Sequence, residues 1–261
     1  MNFQLTEEHL AVQEAAREFA KTELFPGVID RDTEAKFPSD QIKKMGELGF
    51  MGMMVDPKYN GGGMDTLSYV IAMEELSKID ASASVSMSVN NSLVCWGLEK
   101  YGTEAQKQKY LTKLATGEVL GAFCLSEPEA GSDATSQRTS AEWKDDHYLL
   151  NGTKNWITNG SSASIYLVIA QTDASKGHKG ISVFIIEKGW DGFLIGKKED
   201  KLGIRGSDTH SLMFTDVKVP AQNRIGEEGF GFTFAMETLN GGRIGIAAQA
   251  LGIAAGAYEL A

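Results

Sequence analysis

Apolar residues recur every three or four positions up to about Leu120, alternate with a period near two beyond Gly121, and return to the longer period after Pro220. Helix, then sheet, then helix is the expected order. In the first region Thr6 is placed to cap a helix, with Glu7 and Glu8 at its positive end, Leu5 against Leu10, and Val12, Ala16 and Phe19 on one face. A second helix is expected to begin at Ser39, to bury Ile42, Met45 and Leu48, and to stop at Gly49. Asp65 or Thr66 opens a third that runs to about Ile79, and Ala83 to Tyr101 reads as one long helix. Thr103 to Gln106 has the spacing of a capping box for the next.

Past Gly121, short β-branched and aromatic runs lie between turn residues. His147 to Leu150 and Thr153 to Thr158 flank Asn151-Gly152, which predicts a type I′ hairpin. Further strands are expected at Ile165 to Gln171, Ile181 to Glu187, Phe193 to Gly196 and Ser211 to Val219, giving a mostly antiparallel sheet or barrel. After the loop from Gly226 to Gly231 the helical pattern resumes through Met236, Leu239 and Ile244. Ala257 to Ala261 hold no Gly, Pro or cationic stop, so this helix is expected to be cut rather than terminated. The reading is an α+β multidomain chain: an N-terminal helical domain at 1–120, a middle antiparallel β-barrel or sheet domain at 121–230, and the first helix of a truncated C-terminal helical bundle at 231–261.

Composition narrows the function. A net charge of -10, with Lys and Arg scattered singly or in pairs, argues against nucleic-acid binding, which relies on clustered cations. Cys95 and Cys124 lie in apolar surroundings without metal-ligand spacing, so neither a disulfide framework nor a zinc site is expected, and a reducing compartment fits. No apolar signal segment opens the chain, which points to a cytoplasmic protein. Gly241/Gly245 and Gly252/Gly256 have the spacing of a membrane dimerisation motif, but Gln249, Arg243 and Glu259 interrupt or bracket the stretch. A helix packed closely against protein, with no membrane span, is the expectation. His9, His147, His178 and His210 stand far apart in polar contexts and read as surface groups.

Searches for dinucleotide, nucleotide-hydrolysing, serine-hydrolase and zinc-protease motifs find none. The informative segment is Phe123 to Asp133, FCLSEPEAGSD, where helix gives way to sheet. Gly131 permits close backbone approach to a phosphate, and Ser126 and Ser132 offer hydroxyls; an ordinary solvated loop explains the same residues equally well. Trp156, on pattern alone, reads as a core aromatic of a strand.

LSEPEAGSD, NGTKNWITNG at 151–160, KEDKLGIRGS at 198–207 and TLNGGRIGIAAQALGIA at 238–254, in that order, closely resemble the acyl-CoA dehydrogenase family. YVIAMEELSKIDAS and MSVNNSL resemble its short-chain, butyryl-CoA members. The resemblance implies FAD as cofactor, with Phe123 to Ser132 along the flavin, Leu125 and Ser126 near the isoalloxazine, Gly131 and Ser132 near the pyrophosphate, and Trp156, Ile157 and Thr158 beside the ring, the Thr158 hydroxyl toward flavin N5. Acyl-CoA is implied to meet Ser132 and the stretch Asn240, Gly241, Gly242 and Arg243. The implied reaction converts a short-chain acyl-CoA to the trans-2-enoyl-CoA, with electron-transferring flavoprotein as acceptor and a homotetramer as the full-length assembly. No catalytic residue is expected within this chain, because the usual Glu base falls in a later segment of the family and the alternative base position is Gly242. An acyl-CoA oxidase or nitroalkane-oxidase relative, and an inactive flavin- or acyl-CoA-binding fragment, are the alternatives.

Overall fold

A computed structural model describes residues 4–261; Met1–Phe3, the start of the first predicted domain, lie outside the described residues. Thr6 caps α1 (Glu7–Phe19): its hydroxyl accepts from the His9 N–H at 3.3 Å, and His9 Nδ1 accepts from the Thr6 N–H, so a histidine takes the place usual for Glu or Gln in a capping box. Ala16 and Phe19 are buried as expected. A π turn, Ala20–Leu24, leads to the short α2 (Val28–Thr33). In α3 (Ser39–Glu47) Ile42 and Met45 turn inward, but Leu48 follows the helix end and is 60% exposed. Gly49 there adopts φ 81°, the left-handed conformation that stops the helix.

Asp65 caps α4 (Thr66–Ser77) by accepting from Ser68 N at 2.8 Å. Asp80 caps α5 (Ala81–Ser88), which passes through a π segment, Val89–Cys95, into α6 (Trp96–Tyr101). The single helix predicted there is thus one rod of changing pitch. Asn90 and Asn91 in the wide π turn reach backbone groups that an ordinary helix leaves alone: Asn90 Nδ2 donates to Met51 O and Leu114 O, and its Oδ1 accepts from Gly121 N. The predicted capping box at Thr103 opens α7 (Glu104–Gln106), and a π turn joins it to α8 (Thr112–Ala115).

Eight strands follow: β1 (Gly121–Cys124), β2 (Ser140–Lys144), β3 (His147–Thr158), β4 (Ile165–Gln171), β5 (Ile181–Glu187), β6 (Phe193–Lys198), β7 (Thr209–Pro220) and β8 (Arg224–Ile225). Their order is β6-β7-β3-β2-β4-β5-β8, with β1 beside β4, so the sheet is open and the barrel alternative is wrong. β1 and β2 pair parallel to β4, while the other pairs are antiparallel.

The hairpin expected at Asn151-Gly152 is also wrong. β3 runs straight through both residues, and the chain reverses earlier, at Asp145-Asp146, where Asp145 takes φ 50°. Opposite Asn151, β7 carries an extra residue: Leu150 pairs with Val217 and Gly152 with Phe214. That bulge explains why β7 buries Leu212 and Phe214, then Val217 and Val219, against the simple alternation.

β4 and β5 are buried on both faces, which is why they read as unbroken apolar runs. Tyr166, Val168 and Ala170 face a core shared with α1, α3 and α4, whereas Ile165, Leu167 and Ile169 face a second core shared with α6, α8 and the last helix. That helix, α9 (Gly231–Leu260), lies on the first domain through its glycines. A Cβ on Gly245 would come within 2.4 Å of Tyr69 Oη, and one on Gly252 within 2.4 Å of Glu74 O. No helix among the described residues is long and apolar enough to cross a membrane.

Candidate functional site

The C-terminal end of β3 is bound to β1 and the loop after it. Asn159 Nδ2 donates to Gly121 O at 3.0 Å, Asn155 N to Ser126 O at 2.8 Å, and Lys154 Nζ to Leu125 O at 3.1 Å. Phe123 to Ser126 and Trp156 to Thr158, separated by some thirty residues of sequence, therefore run side by side.

A second bulge shapes this edge. Between Lys154, paired with Leu212, and Ile157, paired with His210, β3 has two residues where β7 has only Ser211. Lys154 and Ile157 consequently both turn inward, and Trp156 is thrown out, 60% exposed. Trp156 holds φ 61°, a left-handed backbone that costs a bulky residue on the order of 1–2 kcal/mol. The core-aromatic reading of Trp156 is thus overturned by the bulge. An exposed indole on strained backbone has little structural reason to exist and offers a broad apolar wall.

Each residue singled out in the sequence can now be placed. Phe123 is buried, its ring stacked on Phe234 of α9 at a centroid distance of 6.5 Å. Leu125 and Ser126 are half-buried at the end of β1, and Gly131 and Ser132 are exposed in the following loop. Open space surrounds a Cβ position on Gly131. Ile157 packs in the core that holds Ala122 and Cys124, and the pleat turns its neighbour Thr158 to the opposite side. Among the described residues the hydroxyls of Ser126, Ser132 and Thr158 make no hydrogen bond, leaving three free polar groups on the two adjoining segments.

Asn240, Gly241, Gly242 and Arg243 sit midway along α9, where Arg243 Nη1 donates to Asn240 Oδ1 at 2.5 Å. Gly242 is pressed on Leu93 of the π segment, 2.7 Å from a would-be Cβ, while Gly241 faces open space. From Phe234, which touches the β1 side of the site, Arg243 lies about 13 Å further along the helix at the usual rise per residue. No hydrogen bond joins Arg243 to the β1 loop among the described residues.

Behind the exposed face is a buried polar cluster that the sequence reading missed. Lys154 is fully buried, and its ammonium meets Glu127 Oε1 at 2.6 Å, Gln137 Oε1 at 2.5 Å and Leu125 O. Glu127 in turn accepts from Arg138 N at 2.6 Å and Thr139 N at 3.1 Å, closing the loop between them. Burial pulls Lys154 down to about 8 against the opposing charge of Glu127. Burial also raises Glu127, but the Lys154 charge and the loop hydrogen bonds outweigh it and hold the carboxyl below its ordinary range. Glu127 lies in the segment FCLSEPEAGSD that an ordinary solvated loop would also explain, and Lys154 falls four and six residues after the inward-facing Leu150 and Tyr148 of β3.

Asp133 does not point outward as a free charge. Ser136 and Thr135 hydroxyls hold its carboxylate below the usual range and fold it back on the loop. Cys124 beneath the site is a buried free thiol, pushed far up by burial, and Cys95 is likewise buried. His9 and His210 depart from the surface reading, each side chain being 13% exposed; His210 Nδ1 faces Gly196 O at 2.9 Å. No cluster of metal-ligating side chains occurs among the described residues.

A helical domain laid on an open mixed sheet, with an exposed aromatic and unpaired hydroxyls where sheet meets loop, defines a multidomain α+β protein. Residues 6–118 match the acyl-CoA dehydrogenase N-terminal domain and residues 122–217 the acyl-CoA dehydrogenase middle domain, so the chain belongs to the acyl-CoA dehydrogenase family. It is 52% identical over 259 residues to a short-chain specific acyl-CoA dehydrogenase of Clostridium acetobutylicum, covering 99% of this chain and 68% of that protein. The mitochondrial short-chain specific enzyme of Rattus norvegicus is 48% identical, with 99% of this chain and 63% of that protein covered. The structure of butyryl-CoA dehydrogenase from Megasphaera elsdenii superposes with a TM-score of 0.96 at 49% identity, covering 98% of this chain and 68% of that one. A chain from a structure of the electron transferring flavoprotein of Acidaminococcus fermentans gives 0.97 at 51% identity, covering 98% and 68%. The chain thus spans about two thirds of the length of these relatives.

Proposed function

We propose that this chain carries the flavin side of a FAD-dependent enzyme that oxidises short-chain acyl-CoA thioesters to trans-2-enoyl-CoA. Trp156 is the observation that carries the reading: an indole held out of the sheet on left-handed backbone, beside a strand end with unpaired hydroxyls. The residues suit a flavin. Trp156 and Leu125 present apolar surface to a flat ring system, Ser126 and Thr158 hydroxyls lie beside them for its polar edge, and exposed Gly131 and Ser132 leave room for a phosphate against the backbone.

When bound, FAD would supply a hydride acceptor. In this reading Thr158 holds a hydrogen bond at N5, Trp156 and Phe123 exclude water from one side, and Ser132, Asn240 and Arg243 orient the acyl-CoA, with Gly241 keeping the helix surface low and Gly242 letting the helix approach Leu93. No residue here is assigned as the base for the α-proton. Glu127, the buried carboxylate behind the site, is engaged by Lys154, Arg138 and Thr139, and a side chain in place of Gly242 would collide with Leu93. The short-chain preference rests on the identity of 52% and 48% to enzymes bearing that name. An electron-transferring flavoprotein as acceptor, a homotetramer and a cytoplasmic setting complete the proposal.

An oxidase is the second reading, favoured by a TM-score of 0.92 at 31% identity to the prolyl acyl carrier protein oxidase AnaB. Titrating the purified chain with FAD and following visible absorbance tests the flavin site directly. On a chain as long as these relatives, reduction of ferrocenium by butyryl-CoA supports the dehydrogenase; oxygen consumption in its place supports the oxidase. Absence of any flavin binding would remove both.

A further inference from the structure

Two walls of the proposed flavin site come from distant segments, and only a few contacts set the distance between them. Besides the backbone bond from Asn155 N to Ser126 O, the side-chain contacts between them converge on one atom. Lys154 Nζ meets Leu125 O on the first wall, Gln137 Oε1 on the returning end of the loop, and Glu127 Oε1 at its start, while Lys154 itself immediately precedes the Asn155–Trp156 bulge of the second wall. Glu127 ties both ends of the loop that displays Gly131 and Ser132, since its carboxylate accepts from Arg138 N and Thr139 N. Gln137 also donates to Leu125 O at 3.2 Å, which closes the cluster on itself.

An apolar side chain would satisfy the needs of stability more simply. Replacing a buried ion pair by packed hydrophobic groups is often neutral or stabilising, so a fully buried Lys–Glu pair calls for another reason. Here a single ammonium, with three donors and no acceptor, fixes three oxygens, two from the stretch Leu125–Glu127 and one from Gln137, in one geometry. A neutral donor of the same length, with fewer hydrogens, cannot do so.

We infer that Lys154 and Glu127 are positioning residues that set the spacing and order of the flavin walls, Leu125 to Ser132 on one side and Trp156 to Thr158 on the other. The inference rests on the flavin reading above for its function, and on the cluster alone for its effect on the loop. Neither residue touches the reacting atoms; each acts through the loop it holds.

The test compares Lys154→Met with the double variant Lys154→Met/Glu127→Gln, which removes both charges and the orphaned carboxylate together. Thermal stability, FAD affinity by absorbance, and hydrogen exchange of the amides from Gly131 to Arg138 are measured on the whole chain. Lys154→Met should lose stability and flavin affinity together. The double variant should recover most of the stability, yet bind FAD at least tenfold more weakly than the unaltered protein and exchange its loop amides at least tenfold faster. Recovery of flavin affinity and loop protection along with stability would overturn the inference, because the pair would then be only a compensated charge. If the unaltered chain binds no FAD, the flavin reading fails by itself, and the exchange of the loop still decides whether Lys154 orders it.

Discussion

Asn151 and Asp216 exchange two hydrogen bonds across β3 and β7: Asn151 Nδ2 donates to Asp216 Oδ1 at 3.0 Å, and Asp216 N donates to Asn151 Oδ1 at 2.8 Å. Asp216 is the extra residue of the β7 bulge and holds φ 51°. The side chain of Asn151 thus replaces the ladder partner that the bulge removes. Asn151→Ala should lower stability by about 1–2 kcal/mol, read by urea denaturation. An unchanged midpoint would mean that water serves Asp216 equally well.

Beside it, Gly152 has φ 145°, and a Cβ there would meet Thr139 Oγ1 at 2.5 Å and Thr139 Cα at 2.6 Å. Backbone cannot yield as a side-chain tip can. Gly152→Ala is expected to cost about 2–4 kcal/mol, the sum of conformational strain and overpacking. A loss below ~1 kcal/mol would show that β2 shifts freely, since that is the smallest overpacking cost usually seen.

Trp156 should separate stability from binding. Trp156→Gly removes a large exposed side chain from left-handed backbone, so stability should hold or rise by up to about 1 kcal/mol, while FAD affinity falls at least tenfold. Calorimetry and flavin titration on the same sample check both parts. A clear loss of stability would restore Trp156 to a structural role.

Asp65 gives a pH dependence of known sign. The Ser68 backbone N–H and then His9 hold its carboxyl at about 2, below the ordinary aspartate value, so the folded state releases this proton more readily than the unfolded chain. Its stabilisation is therefore present above the unfolded value and lost as pH falls toward about 2. Asp65→Asn keeps an acceptor for Ser68 but removes the charge. The gap in Tm between the two proteins should be full near pH 6 and narrow steadily by pH 3; a constant gap would assign it to geometry instead.

Glycines of α9 divide by surroundings. Gly241→Ala, facing open space, should raise stability by about 0.5–1 kcal/mol through helix propensity. Gly252→Ala drives a Cβ against Glu74 O, 2.4 Å away, and should lower it by about 1–3 kcal/mol. Equal shifts for the two, in thermal melts, would contradict the packing of α9 on α4.

Much of the scaffold was legible because its signals are local. β4 and β5 announced themselves as apolar runs with bounds at Ile165, Gln171, Ile181 and Glu187, and Thr103 marked its helix by capping chemistry alone. β2 was missed: Ala141 is its one buried residue, so no apolar alternation exposes it. Asn151-Gly152 misled because a left-handed turn and a bulge partner ask for the same residues, and only the pairing with β7 tells them apart. Trp156 was misplaced by that kind of non-local event, a bulge after Lys154 that shifts the phase of β3 by one. The resemblance to a family supplied the site segments, whereas the polar cluster that holds them came only from three dimensions.

The bulge at Asn155–Trp156 has a counterpart. On the other side of β7, Ile195 pairs with Leu212 and Lys198 with His210, so β6 also sets two residues, Gly196 and Lys197, against the single Ser211. Gly196 sits so near that a Cβ would lie 2.3 Å from Ser211 Oγ. The sheet bends about one residue with matched slack on both flanks. Gain or loss of a residue in the inner strand should therefore be tolerated only with the same change in the outer one, so that the two strands would be expected to vary in length together, as a coupled pair of insertions or deletions.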